Sequence, residues 1–325
     1  MTTEPTPGTA GWPPPVLDPA GPFAAPIHTV AWVLFAMSVV VMAVVLVALG
    51  VALFGPRKWK QRVGGERLVW TAGLAFPVVV LTGLLIYGLN TTARIADAPR
   101  PGEMRIRVTG EMWWWRVAYL DGQGREILQD ANEVHIPTGQ PVVFELESAD
   151  VIHSFWVPRL GGKTDMIPGR RNFMRLQADQ PGTYGGQCAE YCGGPHALMG
   201  LVVVAHEPAQ FETWRARQAG DARPVPSVQA SPTLIAQGRD VFAASGCAAC
   251  HTIRGTEANG LAGPDLTHVG SRQTLGAGIL PNNQGTMAGW ISDSQAIKPG
   301  NRMPAYPVLT GQDLRAVAAY LESLK

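Results

Sequence analysis

Two long apolar segments near the N-terminus set the strongest limit on how this chain can fold. Residues 30–54 (VAWVLFAMSVVVMAVVLVALGVALF) and 68–89 (LVWTAGLAFPVVVLTGLLIYGL) carry no charged side chain. At about 1.5 Å of rise per residue, a helix of either length crosses a hydrocarbon layer of roughly 30 Å. The segments therefore predict a transmembrane helix hairpin over residues 28–95. A buried helix of a soluble protein is the alternative, and Pro77 strengthens it for the second segment.

The connection between the two segments predicts the orientation of the hairpin. It contains one acid, Glu66, and five cations: Arg57, Lys58, Lys60, Arg62 and Arg67. Because positive charge resists translocation, the connection is predicted to be cytoplasmic, with both termini on the outer face. Residues 1–27 are rich in Pro and Gly and lack a basic n-region, which indicates a flexible outer tail rather than a signal peptide. The net charge of +1 gives no indication of nucleic acid as a partner.

Beyond the hairpin the sequence changes to short alternating segments. GEMRIRV, WWWRVAYL, NEVHIP, PVVFELES, RRNFMRLQ and MGLVVVAH predict strands, separated by the turn sequences DGQG, PTGQP and QPGT. The alternation in VVFELE places Phe144 on a buried face and Glu145 on the opposite face. Residues 100–212 are therefore predicted to form an antiparallel Greek-key β-sandwich or barrel, and we favour a sandwich of the cupredoxin-like kind.

The C-terminal third of the chain has a helical pattern. A short helix is predicted near residue 211, and the stretch ARQAGDARPVPSVQA leads us to interpret residues 213–230 as a linker. Ser231 followed by Pro232 predicts a helix start, and TGQD at Thr310 predicts another. Residues 231–325 are predicted to form a small all-helical domain.

One of the two cysteine pairs has the pattern of covalent haem attachment. Cys247 and Cys250 in CAACH supply two thiols for thioether bonds, and His251 supplies an imidazole for the iron. A chance zinc half-site or a thioredoxin-like motif is the alternative. Met303 in NRMPAYP is the candidate sixth ligand, because a thioether opposite histidine stabilises ferrous iron. Met287 in GTMAGW competes for that position.

The other cysteine pair lies in GQCAEYCGGPHALMG and points to copper. With two cysteines assigned to haem, Cys188 and Cys192 are too few for a common structural zinc site. Thiolate and thioether sulfur together with imidazole favour copper, so His196 and Met199 are further candidate ligands, and two thiolates can bridge two copper ions. A second histidine is expected from DVIHSFWVP, namely His153. The remaining histidines are interpreted as structural: His28, His135, His206 and His268.

These motifs resemble two known families. Residues 231–325 resemble class I cytochrome c, including AGPDL around Pro264, which in that family packs against the haem and its histidine. The hairpin, the sandwich and the C-x3-C-x3-H-x2-M string resemble subunit II of haem–copper cytochrome c oxidase over roughly residues 28–215. The resemblance implies a binuclear copper centre, CuA. Its ligands here would be His153, Cys188, Cys192, His196, Met199 and the carbonyl of Glu190.

The resemblance implies further roles. The carboxylate of Glu190 would bind a magnesium ion near the subunit I interface. Trp113, the first tryptophan in GEMWWWRVAY, corresponds to the residue at which electrons from cytochrome c enter, although an aromatic residue that packs over the core is the alternative. The family often has a glutamate after the second span at the mouth of a proton path. This chain has Asp97 in ARIADAP instead, which leaves proton uptake there open.

The function implied is that of a subunit of an oxygen-reducing, proton-translocating oxidoreductase. Electrons would pass from cytochrome c or a quinol–cytochrome c reductase through haem c and CuA to subunit I, where oxygen is reduced to water. A tethered cytochrome can dock in cis at an effective concentration near the millimolar range. Expected partners are subunits I and III and membrane lipid, in a bacterial inner membrane with the copper and haem domains on the periplasmic face.

Other functions fit parts of the same pattern. A nitric oxide reductase whose small subunit bears CuA and haem c would keep every residue assignment. A membrane-anchored electron carrier without an enzymatic partner is a second alternative. A quinol oxidase subunit shares the fold but lacks the copper ligands, so Cys188 and Cys192 argue against it.

Overall fold

A computed structural model describes residues 14–95, 100, 102–228 and 230–325 of the protein. The chain divides into two units, the apolar hairpin Ala25–Asp97 and a larger unit formed by Met1–Ala24 and Ala98–Lys325. Each is described separately below. Asp97, the expected counterpart of the family's glutamate, lies outside the described residues.

The hairpin contains two long helical segments, as the sequence predicts. Its elements are α1 (Ala25–Phe54), α2 (Arg57–Val63), α3 (Glu66–Leu68), a π-helical stretch (Val69–Ala75) and α4 (Phe76–Ile95). Helical residues Ala25–Phe54 and Glu66–Ala93 are long and apolar enough to cross a membrane, with mean hydropathies of 2.9 and 2.1. The π-helical stretch directly precedes Pro77, whose missing N–H removes one intrahelical hydrogen bond.

The larger unit begins with a two-sheet β-sandwich. Its strands are β1 (Met104–Glu111), β2 (Trp114–Leu120), β3 (Glu126–Ala131), β4 (Glu133–Pro137), β5 (Val142–Ser148), β6 (His153–Trp156), β7 (Lys163–Met166), β8 (Asn172–Leu176), β9 (Gly182–Cys188) and β10 (Gly200–His206). The sheets have the strand orders β3-β2-β1-β5-β8 and β4-β10-β9-β6-β7. Side chains from both sheets, including Trp115, Phe144 and Phe155, fill the core between them.

The predicted β-sandwich is confirmed, but two details of the prediction are wrong. The six predicted strands correspond to β1, β2, β4, β5, β8 and β10, and the sequence pattern missed β3, β6, β7 and β9. The sheets are also not antiparallel throughout, because β1 pairs with β5 and β10 pairs with β4 in parallel. Strand β9 escaped detection because it is rich in glycine. At Gly186 a Cβ would lie 2.8 Å from the carbonyl oxygen of Trp156, so close strand packing requires glycine there.

Glu145 is buried, contrary to the expectation that β5 has one buried face. Its side chain is fully inaccessible and forms ion pairs with Arg105, Arg107 and Arg171. The alternation in VVFELE is therefore real, but the second face of the strand is covered by arginine side chains rather than by water. An arginine can cover a surface with its aliphatic stem while its guanidinium pairs with the carboxylate.

The cytochrome-like part of the unit is mainly helical. Its elements are α6 (Pro232–Ala244), α7 (Gln284–Ser292), α8 (Ser294–Ile297) and α9 (Gly311–Ser323), together with a small ladder of β11 (Thr274–Leu275) and β12 (Leu280–Pro281). Ser231 caps α6 and Thr310 caps α9 through side-chain hydrogen bonds, as their sequence contexts predict. The prediction of an all-helical domain missed the two-residue strands.

The connection between the two domains is not a free tether. Helix α5 (Pro208–Gln218) extends into the range 213–230 that the sequence suggested as a linker. Beyond it, Arg254 donates a hydrogen bond of 2.6 Å to the carbonyl of Gln218, and the N–H of Val225 donates one of 2.8 Å to Ser323. These bonds attach the connection to the surface of the helical domain.

The described end of the N-terminal tail is also attached. The N–H of Ala20 donates a hydrogen bond of 2.7 Å to the carbonyl of Arg159, and the N–H of Asp179 donates one of 3.0 Å to Ala20. The expectation of a flexible tail over residues 1–27 thus fails for the part next to α1, which begins at Ala25.

Gly238 lies where α6 crosses α9, and a Cβ there would come 2.0 Å from the backbone oxygen of Ala316. We expect Gly238→Ala to lower the free energy of unfolding by roughly 1–3 kcal/mol or more, because the helices must separate to admit a methyl group. The measurement is thermal melting of the full-length protein by circular dichroism. Gly289→Ala in α7 is the control, since that position has open space and should be neutral or slightly stabilising. Equal melting temperatures for the two variants would contradict the tight crossing.

Candidate metal and haem centres

Three chain segments meet at one end of the sandwich and bring the predicted copper ligands together. Strand β6 begins with His153 and β9 ends with Cys188. The N–H of Cys188 donates a hydrogen bond of 2.9 Å to the carbonyl of Met199, and the N–H of Ala189 donates one of 3.0 Å to Ser154. Backbone pairing therefore fixes the positions from which these side chains project.

The sulfur and imidazole donor atoms form one compact, largely buried cluster. The Sγ atoms of Cys188 and Cys192 lie 3.7 Å apart, too far for an S–S bond of about 2.05 Å. Nδ1 of His153 lies 3.9 Å from Sγ of Cys188, and Nδ1 of His196 lies 3.5 Å from Sγ of Cys192. The thioether sulfur of Met199 lies 3.8 Å from the same Sγ. This donor set of soft sulfur and imidazole suits copper.

The two thiols ionise as a pair. The hydrogen bond with Cys192 is the main cause that lowers the pKa of Cys188, and hydrogen bonds with His153 and with the backbone of Glu190 lower it further. The pKa of Cys192 is raised, first by Cys188 and then by burial, because a second negative charge would lie beside the first. In the metal-free pair the first proton leaves easily and the second is held, so a metal ion must displace a proton to bind both sulfurs.

Asp150 orients His153 from the side opposite the sulfurs. Its Oδ1 lies 2.9 Å from Nε2 of the histidine, which leaves Nδ1 directed at Cys188. Burial raises the pKa of Asp150, but hydrogen bonds from His153 and from the N–H of Met112 outweigh it and lower that pKa. Burial opposes the charged form of His153, but bonds to Cys188 and Asp150 raise its pKa above the usual value. A carboxylate behind a ligating histidine fixes its tautomer and raises its basicity.

The loop between the second thiol and the second histidine turns tightly at Gly193. Its φ of 108° lies in the region that favours glycine, and a Cβ there would lie 3.1 Å from Cζ2 of Trp113. The half-exposed ring of His196 packs against Tyr191, with ring centroids 5.7 Å apart. The carbonyl of Glu190 accepts a hydrogen bond of 3.2 Å from the thiol of Cys188, so this oxygen faces the sulfur cluster. The half-exposed carboxylate of Glu190 points elsewhere and lies 3.5 Å from Nζ of Lys163.

The CAACH motif lines a separate cavity in the helical domain. Cys247, Cys250 and His251 all border a cavity of about 370 Å³. Nδ1 of His251 lies 2.8 Å from the carbonyl oxygen of Pro264, which leaves Nε2 free for a metal. Burial lowers the pKa of His251, so its imidazole is neutral at physiological pH and able to bind iron. The position of Pro264 agrees with the role that the cytochrome resemblance implies.

Both candidate methionines border this cavity, so the cavity alone does not select the sixth ligand. Met287 lies on α7 and is 3% exposed within the apolar core. Met303 lies on a loop whose backbone is pinned, since its carbonyl accepts hydrogen bonds from Ser294 and Gln295 at 2.7 Å each. Its sulfur accepts a hydrogen bond of 3.1 Å from the indole of Trp290.

The same cavity is lined on one side by the β-sandwich. Met112, Trp113 and Trp114 border it together with the haem-attachment motif. The indole N–H of Trp113 donates a hydrogen bond of 2.8 Å to the carbonyl of Cys192. Trp113 therefore contacts the backbone of the copper loop and borders the cavity at once.

Buried polar contacts hold the two domains in one arrangement. The guanidinium of Arg272 pairs with Asp130 at 2.8 Å, with both side chains almost inaccessible. The N–H of Gly200, next to Met199, donates a hydrogen bond of 2.9 Å to the carbonyl of Ala277. Such contacts hold the cytochrome-like domain against the sandwich, where the sequence suggested docking in cis through a flexible linker.

The histidines interpreted as structural include a buried pair. Nδ1 of His135 lies 2.7 Å from Nε2 of His206, and its Nε2 lies 2.8 Å from a carboxylate oxygen of Glu133. The rings stack on each other and on Trp214. Burial and the neighbouring His135 lower the pKa of His206 to about 4. The two histidines pack against Trp214 of α5 and are not part of the sulfur cluster.

Two functional candidates were missed in the sequence. Asp150 precedes His153 by three residues, and an acid at this spacing from a candidate ligand could have been noticed. Lys298, which donates a hydrogen bond of 2.7 Å to the carbonyl of Trp113, has no local signal because its partner lies 185 residues away.

We expect Asp150→Asn to weaken copper binding by about 10–100-fold, because the histidine loses the carboxylate that orients it. The measurement is competition for copper with a chelator of known affinity, using the full-length protein. Asp240→Asn is the control, since that carboxylate on α6 is 76% exposed. Equal copper affinities for the two variants would show that Asp150 does not support the site.

Comparison with known proteins agrees with this architecture. The family described as "Cytochrome C oxidase subunit II, periplasmic domain" matches residues 119–206, and the family "Cytochrome c" matches residues 235–325. Cytochrome c oxidase subunit 2 of Alkalihalophilus pseudofirmus is 37% identical and aligns with 95% of this chain and 90% of its own length. The subunit 2 of Bacillus sp. strain PS3 is 30% identical over 82% of this chain and 76% of its own.

Among solved structures, the periplasmic domain of subunit II of cytochrome oxidase from Bradyrhizobium japonicum is 30% identical. It covers 38% of this chain and 96% of its own length, with a TM-score of 0.35. Family membership rests on the relative that is 37% identical over 95% of this chain, and the two matching families imply copper and haem c as cofactors. The chain belongs to the cytochrome c oxidase subunit 2 family and carries a cytochrome c domain at its C-terminus.

Proposed function

We propose that this chain receives electrons at haem c and passes them through a binuclear CuA centre to the haem–copper site of subunit I, where oxygen is reduced to water with proton transport. The observation that carries the proposal is Trp113, which borders the cavity of the CAACH motif and donates a hydrogen bond to the carbonyl of Cys192. One aromatic side chain thus connects the two candidate centres within a single polypeptide.

The copper ligands in this proposal are the two histidines, two cysteines and methionine of the sulfur cluster, with the carbonyl of Glu190. Bound copper and haem each supply a centre that accepts and releases one electron. The protein holds the donor atoms on a hydrogen-bonded strand ladder and excludes water from most of them, so the ligands change position little between oxidation states. The carboxylate of Glu190, half-exposed beside Lys163, is proposed to bind magnesium at the interface with subunit I.

We place the apolar hairpin in the bacterial inner membrane, with both termini and the copper and haem domains on the periplasmic face. The basic connection between the two spans supports this orientation. Subunits I and III are the proposed membrane partners, and cytochrome c or a quinol–cytochrome c reductase is the proposed donor. Since the helical domain covers Trp113, the donor is expected to deliver its electron to haem c rather than to this tryptophan.

Met303 is proposed as the sixth haem ligand because hydrogen bonds hold its loop in place and its sulfur lies beside a polar partner, whereas Met287 is packed in the apolar core.

We expect Met303→Leu to change the optical spectrum of the haem and lower its reduction potential, because the thioether stabilises ferrous iron. Met287→Leu is the matched control and should leave the spectrum unchanged. A spectral change in the control variant alone would move the assignment to Met287.

Cys192→Ser tests the function as a whole. We expect the complex with subunit I to lose oxygen uptake driven by cytochrome c, because one of the two thiolates is removed, while the haem c spectrum of the same sample stays intact. Oxygen and nitric oxide uptake are measured side by side on the unaltered complex. Oxygen turnover that survives the substitution would disprove the copper assignment, and uptake of nitric oxide alone would disprove the oxidase.

A further inference from the structure

Lys298 is a buried cation at the junction of the two domains. Its side chain belongs to the helical domain and is 2% exposed. The ammonium group donates hydrogen bonds to two backbone carbonyls, at 2.7 Å to Trp113 of the sandwich and at 3.1 Å to Gly276 of its own domain. Within the described part of the chain, no carboxylate forms an ion pair with it. Burial lowers the pKa of Lys298 to about 7, because desolvation disfavours the ammonium form more than the neighbouring charge of Cys192 favours it.

The residue that Lys298 contacts lies between the two candidate centres. The indole of Trp113 donates its hydrogen bond to the carbonyl of Cys192 on the copper side. The ring also packs against Gly193 of the copper loop and Gly300 of the helical domain, where a Cβ would lie 3.1 Å and 3.9 Å from ring atoms. The ring of Trp113 thus lies close to both the copper loop and the helical domain, and Lys298 holds its backbone carbonyl.

Lys298 also begins the loop that carries the candidate haem ligand. Its carbonyl accepts a hydrogen bond of 2.8 Å from the amide of Asn301, whose Oδ1 accepts one of 2.8 Å from the N–H of Met303. A single residue therefore connects the backbone of Trp113 with the segment that places Met303. The position of Trp113 in the sandwich and the position of the Met303 loop in the helical domain therefore both depend on Lys298.

Stability alone does not account for a lysine at this position. A buried charge is expensive to desolvate, and an apolar side chain of similar length is often as stable or more stable in such a place. What an apolar side chain cannot do is donate to the carbonyl of Trp113 and to that of Gly276 at the same time. The two hydrogen bonds therefore fix the position of Trp113 relative to the helical domain, rather than adding to the stability of the fold.

We infer that Lys298 is a positioning residue for electron transfer from haem c to copper, because it holds Trp113 against the copper loop and in register with the loop of Met303. The inference rests on the proposed function, since it concerns the step between the two centres. Lys298 borders the CAACH cavity, donates its hydrogen bonds to the carbonyls of Trp113 and Gly276, and reaches the copper loop through Trp113.

The test measures the internal step in the full-length protein loaded with copper and haem. Haem c is reduced by a short light pulse with a photosensitiser, and arrival of the electron at copper is followed by absorbance. A hydrogen bond from a charged donor shifts a conformational equilibrium by about tenfold or more. We therefore expect Lys298→Met to slow the transfer by about tenfold, with copper and haem contents unchanged. Lys325→Met, at the exposed C-terminus, is the control and should transfer at the original rate.

A second pair of variants separates positioning from general stabilisation. Trp113→Phe is expected to slow the transfer as well, and Lys298→Met added to it is expected to cause little further loss, because the lysine acts through the tryptophan. If the rate losses of the two single variants multiply in the double variant instead, the inference is overturned. A lowered melting temperature for Lys298→Met with an unchanged transfer rate overturns it as well. Where that variant does not take up both cofactors, Lys298→Gln is measured in its place.

The outcome for the unaltered protein separates this inference from the proposed function. If haem and copper are both present and no electron passes between them, the proposed function fails. If the electron passes and Lys298→Met, or Lys298→Gln in its place, passes it equally fast, only the role of Lys298 fails.

Discussion

The pairing of β6, β9 and β10 is the constraint on which the copper side of this protein depends. Hydrogen bonds from Cys188 to Met199 and from Ala189 to Ser154 decide which side chains reach the end of the sandwich. Because side chains alternate along a strand, a shift of one residue in this ladder would turn a ligand from the cluster to the opposite face. The geometry of the site is therefore as well defined as the sheet that carries its sulfur and imidazole donors.

Buried polar contacts join the β-sandwich to the helical domain. Sequence alone suggests a tethered cytochrome that docks in cis, and in the structure Arg272 and Asp130 form a buried ion pair across the junction. Breaking such a pair leaves an uncompensated buried charge, which costs roughly 3–5 kcal/mol. The two domains therefore act as one body, and Trp113 becomes an internal element of that body.

The sequence predicted the features that are set by neighbouring residues and missed those that depend on residues far apart along the chain. The string from Cys188 to Met199 and the CAACH motif have fixed spacings that encode their chemistry, and apolar runs and alternation identified the hairpin and six strands. Strand β9 was missed because its glycines permit close packing without an apolar pattern. Glu145 was misjudged because its arginine partners lie on other strands. Lys298 could not be found from spacing, since its partner is 185 residues away and only the folded chain brings them together.

The buried ion pair between Arg272 and Asp130 has a consequence for the ionic environment. Mobile ions screen exposed charges beyond about 8 Å at physiological ionic strength, but they reach buried pairs poorly. Added salt therefore leaves the contact between the two domains largely unaffected. In the proposed electron path, the step between haem c and copper would then not depend on salinity, whatever salt does to the encounter with a donor.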